Sequence, residues 1–448
     1  MRALLLKYWD RLRSSFWFLP ALMAAGAVAL ALATVRIDEG VTGDLPAALG
    51  WAYSGGAEGA SAVLSTIAGS MTTIAGVVFS MTLVALSLAS SQFGPRLLRN
   101  FMRDTTNQVV LGTFVATFLY CLLVLRTILR GGDGDFVPHL SVTLAVVFAA
   151  VSLWVLIYFI HHVSVSIQAD EIVARVGTEL ASGIDTLFPE RLGEGVPAGD
   201  DAPETSLPAG FEQESTAIPA QGDGYLQFLD AEALMTLAEA EDLVFRVERR
   251  PGHYVIAGRG LVRAWPAERV TDDLRTRVNA AFVLGSQRTP GQDLEFEINQ
   301  LVEIAVRALS PGVNDPFTAV TCIDRLGSAL CRLAARDMPS PRRRDRQGRL
   351  RVVAPAVTFA AITDAAFNQI RQYSRSSAAV TVRLLETIAV VAEVATRPAD
   401  REALRRHAMM VARGAREGLP DEDDRRAVDA RHRDVTRALE GAAGPLPA

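Results

Sequence analysis

Lysine is almost missing from these 448 residues: Lys7 is the only one, and every other basic side chain is an arginine or a histidine. So lopsided a choice reflects coding bias more than function. Cysteine is nearly as scarce. Cys121 falls in an apolar stretch, and Cys322 and Cys331 have a spacing that suits neither a disulfide framework nor a zinc site. No metal or cofactor is therefore expected. There is no Ser/His/Asp order, no His–carboxylate metal spacing, and no Walker or dinucleotide glycine loop. A non-enzymatic role is the expectation. A net charge of −5 gives no support for a nucleic-acid partner. Charge is also absent between Ser61 and Phe93, which argues against a proton relay or a tightly held ion there.

What is present is apolar sequence, concentrated in the first 165 residues. Four runs are long enough to span a bilayer, over about residues 16–35, 61–92, 108–128 and 140–160. Met1 to Arg13 mixes Arg2, Lys7, Arg11 and Arg13 with leucines, Tyr8 and Trp9, a pattern suited to the membrane interface. A secretory signal is the competing reading, but Arg36-Ile37-Asp38-Glu39 after the first run is a poor cleavage site. Arg96, Arg99 and Arg103 follow the second run and, with the basic N-terminus, are expected in the cytosol by the positive-inside rule. Asp38, Glu39, Asp44 and Glu58, and later Asp133 and Asp135, then face outward. Arg126 and Arg130 dissent, but can snorkel to the surface. Four spans return the chain to the cytosol after His161. His161 and His162 invite a metal reading, yet adjacent helix positions point apart, so interfacial histidines are expected.

The second span carries the mechanistic hint. Thr66, Gly69, Thr73, Gly76, Ser80, Leu83, Ser87 and Ser90 recur at steps of three and four, and all but Leu83 are small or bear a hydroxyl. The opposite register, through Leu64, Ile67, Met71, Ile74, Val78, Met81, Ala85 and Leu88, is apolar. Such a helix shows one greasy face and one small, weakly polar face. Two readings stand: the small face packs closely against another helix, or it lines a water-accessible path at the axis of a homo-oligomer.

The expected fold class is thus a four-span α-helical membrane domain over residues 1–165, N-terminus and C-terminus inside, followed by a cytosolic α+β domain. Residues 166–188 read as a connecting helix continuing the fourth span. Residues 189–224, rich in Pro, Gly, Ala, Asp and Glu, read as a disordered acidic linker. Alternating apolar residues over 225–266 predict a small β-rich subdomain. Its Pro251-Gly252 turn loosely resembles half of a lipoyl-like barrel, but with no lysine there carrier chemistry is unavailable. Residues 267–442 read as mainly helical, with a short strand near Phe282 and a basic loop over 339–351.

Two motifs carry a resemblance. Ser91-Gln92-Phe93-Gly94-Pro95-Arg96 and the run from Gln300 to Ala319, which includes Ser310, Pro311, Asn314, Asp315 and Pro316, resemble a bacterial family of predicted membrane proteins, domain of unknown function 2254. The resemblance covers nearly the whole chain, residues 190–222 being the least family-like. It implies a multi-pass protein of the bacterial inner membrane and brings no catalytic residue.

The densest polar set after the spans holds Arg288, Thr289, Asp293, Glu297, Glu303, Asn314, Asp315 and Thr318. A ligand site is conceivable where the helix start at Asn314 offers N–H groups to an anion with Arg288 nearby. The plainer reading is a capped helix–turn–helix with a solvated face. Two functions follow. The chain is a homo-oligomeric pore for a small ion, lined by Thr66, Gly69, Thr73, Gly76, Ser80 and Ser87 and regulated by its cytosolic part. Alternatively it is a membrane-anchored sensor or scaffold that binds an anionic ligand or a partner. In both readings the lipid bilayer is the surrounding partner.

Overall fold

The computed structural model describes residues 17–40, 53, 55–94, 104–128, 136–188 and 207–441, with the side chains of Gln92 and Phe93 left aside. The N-terminal amphipathic segment, the Arg96–Arg103 loop, the Asp133/Asp135 loop and the first half of the acidic linker lie outside the described residues. The chain divides into two compact units, Met1–Glu171 and Ile172–Ala448.

In the first unit, among the described residues, four helices are long and apolar enough to cross a membrane: α1 (Phe18–Gly40), α2 (Ala57–Phe93), α3 (Thr105–Leu125) and α4 (His139–Ser166). They overrun the apolar stretches because backbone hydrogen bonding continues past the greasy residues. Arg36 and Glu39 form an i,i+3 pair in the last turns of α1, and α4 runs through His161 and His162. The third helix is the hub, packing on α1, α2 and α4. Tyr120, Cys121 and Val124 of α3 meet Ala31, Leu64 and Val142 in one cluster; Val110 and Phe114 meet Met71, Val78 and Phe159 in another.

Polar residues pin the helix ends. The Asp38 carboxylate at the end of α1 accepts from the Leu140 and Ser141 amides, each at 3.0 Å, and from Ser141 Oγ at 2.7 Å, capping α4. Tyr120 joins the same corner through Thr34 at 3.0 Å and the Ser141 carbonyl at 3.2 Å. At the opposite end Asp104 caps α3, accepting from the Thr106 amide, and its other oxygen lies 2.7 Å from His162 Nε2. Neighbouring helices are thus held head to tail. His162 has a carboxylate for a partner and stacks on Tyr158.

The expected continuous stalk is two helices: α4 stops at Ser166 and α5 (Ala169–Leu187) begins after a turn. Ser164 and Ser166 bond back to the carbonyls of Ile160 and Val163, a competition that loosens a helix end.

The second unit joins two sheets to a helical layer. After a short helix, α6 (Phe211–Glu214), come β1 (Thr216–Pro219), β2 (Gly224–Leu229), α7 (Ala231–Ala240), β3 (Val244–Val247), β4 (Tyr254–Val255), β5 (Gly260–Trp265), α8 (Asp272–Ala280) and β6 (Phe282–Gly285). Helices α9 (Leu294–Ala308) and α10 (Pro316–Ala334) lead to a hairpin of β7 (Arg342–Arg344) and β8 (Leu350–Val353). Four helices close the described chain: α11 (Phe359–Tyr373), α12 (Ala378–Val394), α13 (Pro398–Gly418) and α14 (Glu422–Glu440). One sheet has the order β1-β5-β3-β8-β7, parallel only at β3/β8; the other has the order β4-β2-β6. Leu226, Phe245, Leu261, Val278 and Phe282 lie in the core that both sheets share.

Two expectations need correction. The acidic stretch is not disordered throughout: Phe211 and Ile218 are fully buried, β1 pairs antiparallel with β5, and Glu212 and Glu214 bond Arg246 and the Trp265 indole. Two apolar anchors and a strand edge offset the ordering cost that composition alone suggests. Nor is the β-rich part self-contained over 225–266, because β1, β6 and β8 join from outside it. The basic loop over 339–351 is largely a hairpin, held by Arg351, whose guanidinium bonds Asp345 and Asp242 at 2.8 Å each.

Candidate functional site

Every position of the small face named for the pore, Thr66, Gly69, Thr73, Gly76, Ser80 and Ser87, is exposed in the protomer. The opposite register holds the packing: Leu64, Met71, Val78 and Ala85 are each at most 5 % exposed. Within the protomer, then, neither the third nor the fourth helix covers the small face. On the buried face small and large residues alternate, Ala60, Ala68, Ala85 and Ala89 with Leu64, Met71 and Val78, so the helices come close and the larger side chains fill the gaps that remain. The exposed hydroxyls are satisfied locally: Thr66 donates to Ala62 O at 2.8 Å and Thr73 to Gly69 O at 3.2 Å. Beside Gly69 and Gly76 there is open space. Thr73, Gly76, Ser80 and Val84, with Val163 and Ile167, border an open groove of about 630 Å³. At 1.5 Å per residue the 37 residues of α2 extend about 55 Å, against roughly 30 Å of hydrocarbon.

The first motif ends this helix. Ser91 Oγ donates to Leu88 O, and Gly94, at φ +106°, gives its amide to Ser90 O as the helix stops. Pro95 and Arg96 lie outside the described residues. The second motif is a helix–turn–helix built by local chemistry. Ser310 Oγ bonds Arg307 O, and Asn314 adopts φ +50°, a left-handed conformation that asparagine tolerates. The Asp315 carboxylate then caps α10, accepting from the Phe317 and Thr318 amides at 3.1 Å each and from Thr318 Oγ1 at 2.5 Å, and Pro316 fills the first turn. Pro311 sits in the turn. Phe317, 82 % exposed, and Val313 stand on the surface.

The anion site drawn from Arg288 and Asn314 does not form. Asp315 has taken the two amides such a ligand would need. Arg288 is neutralised by Asp293 through two parallel bonds, Nε–Oδ2 at 2.6 Å and Nη2–Oδ1 at 2.7 Å. The two places lie at opposite ends of the 15-residue α9, roughly 22 Å apart along its axis. Thr289 Oγ1 makes only a long contact, 3.5 Å, to Gln227 O, in a segment that Gln292 fastens to Leu229. Sequence proximity suggested one cluster; the helix between separates it.

Glu297, by contrast, is singular. Its carboxyl is 6 % exposed, and Oε2 finds no hydrogen-bond partner. Burial first, then the charges of Glu179 and Asp293, push its pKa up to about 8. The room it occupies exists because residue 183 on α5 is glycine: a Cβ there would stand 2.6 Å from Oε2. Gly252 does the same for Asp293, at φ +90° with the carboxylate against its Cα. Neither glycine carries a signal in the sequence that ties it to a carboxylate far along the chain.

With the two motifs on one chain and four membrane-length helices before the second, comparison with known proteins is decisive. The family described as Predicted membrane protein (DUF2254) matches residues 13–390. The chain belongs to that family. An uncharacterized protein of Mycobacterium tuberculosis and another of Mycobacterium bovis are each 34 % identical over 454 residues, covering 98 % of this chain and 84 % of the relative. No solved structure matches. The family match includes both motifs, the small face of α2 and Glu297, and ends within α12, before α13 and α14. The protein is a multi-pass membrane protein.

Proposed function

We propose that the four-helix unit assembles with copies of itself around α2, so that Thr66, Gly69, Thr73, Gly76, Ser80 and Ser87 line a path for a small ion. One observation carries this reading: the protomer builds its core on the apolar face of α2 and leaves the small, hydroxyl-bearing face outward. Hydroxyls already bonded to their own helix are neutral and wettable, and glycine gives width without charge. Four helices with side-chain-filled contacts enclose no path alone, so several copies are required. In this reading the protein sits in the bacterial inner membrane with both termini inside, in keeping with Arg96, Arg99 and Arg103 after α2. The second unit is then cytosolic and regulates conduction, and the role is transport, not catalysis.

Electron microscopy of the full chain in nanodiscs tests the assembly, and ion flux from liposomes tests the path. A symmetric ring with Thr73, Gly76 and Ser80 on its axis is expected. Gly76→Leu should abolish flux and leave the ring and its melting temperature unchanged, since open space surrounds that position. A monomer, or a ring with these residues facing lipid, would end the proposal and favour the sensor or scaffold reading.

A further inference from the structure

Helices α11 and α13 lie side by side and run in the same direction. Asp364 meets Arg406 at 2.6 Å and His407 at 2.8 Å near the start of the contact. Near its end Arg375 lies 3.8 Å from Glu417 and against Gly414 and Gly418. The pairs 364/406 and 375/417 share an offset of 42 residues, and the same offset sets Arg371 opposite Arg413. Acid faces base at both outer steps; at the middle step arginine faces arginine.

Among the described residues no ion pair neutralises that step. Arg371 bonds only the neutral Asn368 Oδ1, at 3.2 and 3.0 Å, which fixes its guanidinium plane. Arg413 is exposed and makes no hydrogen bond or ion pair among the described residues. Asp364 is occupied by Arg406 and the fully buried His407. Burial, then the charges of Arg375 and Arg413, outweigh the opposing charge of Asp364 and hold the Arg371 guanidinium below the usual arginine range. A half-buried, oriented guanidinium with an exposed one on the neighbouring helix can take a tetrahedral oxyanion by bidentate hydrogen bonds.

We infer that the seam between α11 and α13 binds a phosphoryl group at its surface, with Arg371 and Arg413 as the two arms and Arg375 beside them. The group can belong to a free phosphate compound or to a lipid headgroup. The site stands apart from the small face of α2 and needs no pore.

The test is calorimetric titration of inorganic pyrophosphate into the full chain in nanodiscs of neutral phosphatidylcholine. One pyrophosphate per chain is expected. Arg413→Gln, at an exposed position that folding does not depend on, should weaken binding by at least about tenfold. Arg371→Gln should do the same. Arg342→Gln removes another arginine without an ion pair among the described residues and should change affinity by less than about twofold. Absence of binding in the unmodified chain, equal affinity in Arg413→Gln, or an equal loss in Arg342→Gln would overturn the inference. Discs containing phosphatidylglycerol separate the sources: Arg413-dependent binding that disappears there assigns the site to a headgroup, and binding that persists assigns it to a free phosphate compound.

Discussion

The two units bury opposite things. In the first, large apolar side chains point out: Trp154 is 74 % exposed, with Leu153, Ile157, Leu32 and Val84 also exposed, while Thr117, Ser141 and Ser152 are inside. Those interior hydroxyls find partners across helices, Thr117 with Ser152 at 3.1 Å and Tyr120 with Thr34 at 3.0 Å. In the second unit Leu, Ile, Val and Phe are inside and the surface is laced with Arg–carboxylate pairs, such as Arg416–Asp429 and Arg431–Glu386. The difference is the solvent. Lipid gives no drive to hide leucine, so helices associate through small residues and hydrogen bonds. Water does give that drive, and polar groups stay out unless paired. Against that background α2 stands out for the row of hydroxyls and glycines it exposes, Thr66, Gly69, Thr73, Gly76, Ser80 and Ser87, although Ser61 and Thr82 are buried.

Breaking the second unit's rule should cost most where a charge is interior. The Arg351 side chain is 4 % exposed and serves the equally buried Asp345. Burial alone would push the Asp345 carboxyl up, but hydrogen bonds from Arg351 and Arg349 hold it at about 2. Arg351→Met should therefore destabilise the second unit by about 3 kcal/mol, read by denaturant unfolding. In the unmodified chain this contribution is present above about pH 4, the unfolded carboxylate's range, and is lost as pH falls toward 2.

Glu297 should behave in the opposite sense. Its folded pKa, about 8, is above the unfolded value, so the neutral acid is stabilised in the fold. Stability is greatest below about pH 4.5 and declines as pH rises through 8. Glu297→Gln, which imitates the neutral form, should have little effect at pH 5 and raise stability at pH 8.5 by on the order of 4 kcal/mol. Melting curves at the two pH values decide; an unchanged difference between them would mean that the carboxylate is hydrated.

The smallest effect belongs to the first unit's interior. A double-mutant cycle of Thr117→Val and Ser152→Ala should give a coupling of about 0.6 kcal/mol, measured by refolding from detergent. A coupling near zero would mean that water competes for those hydroxyls and would weaken the contrast between the units.

Much of this was legible beforehand because it is local. The helix stop at Gly94-Pro95, the Asp315 cap with Pro316 after it, and β2, β3 and β5 follow from residues a few positions apart. The site was far less legible. Arg288 looks available until Asp293 is seen to hold its Nε and Nη2, and the acidic stretch looks unstructured until β5 supplies an edge for Ile218. The Arg371–Arg413 step had no signal, since an offset of 42 residues has no periodicity to betray it.

By itself, then, the sequence determined four membrane-length helices, the amphipathic division of α2, and the capped helix–turn–helix at Asn314. These depend on hydropathy and on hydrogen bonds within a turn, which short stretches decide alone. Only the tertiary structure decided which face of α2 turns outward, that Glu297 lies buried against Gly183, and that Arg371 faces Arg413. Each of these depends on segments far apart in the chain competing for the same space, and that competition is settled only when the whole unit packs.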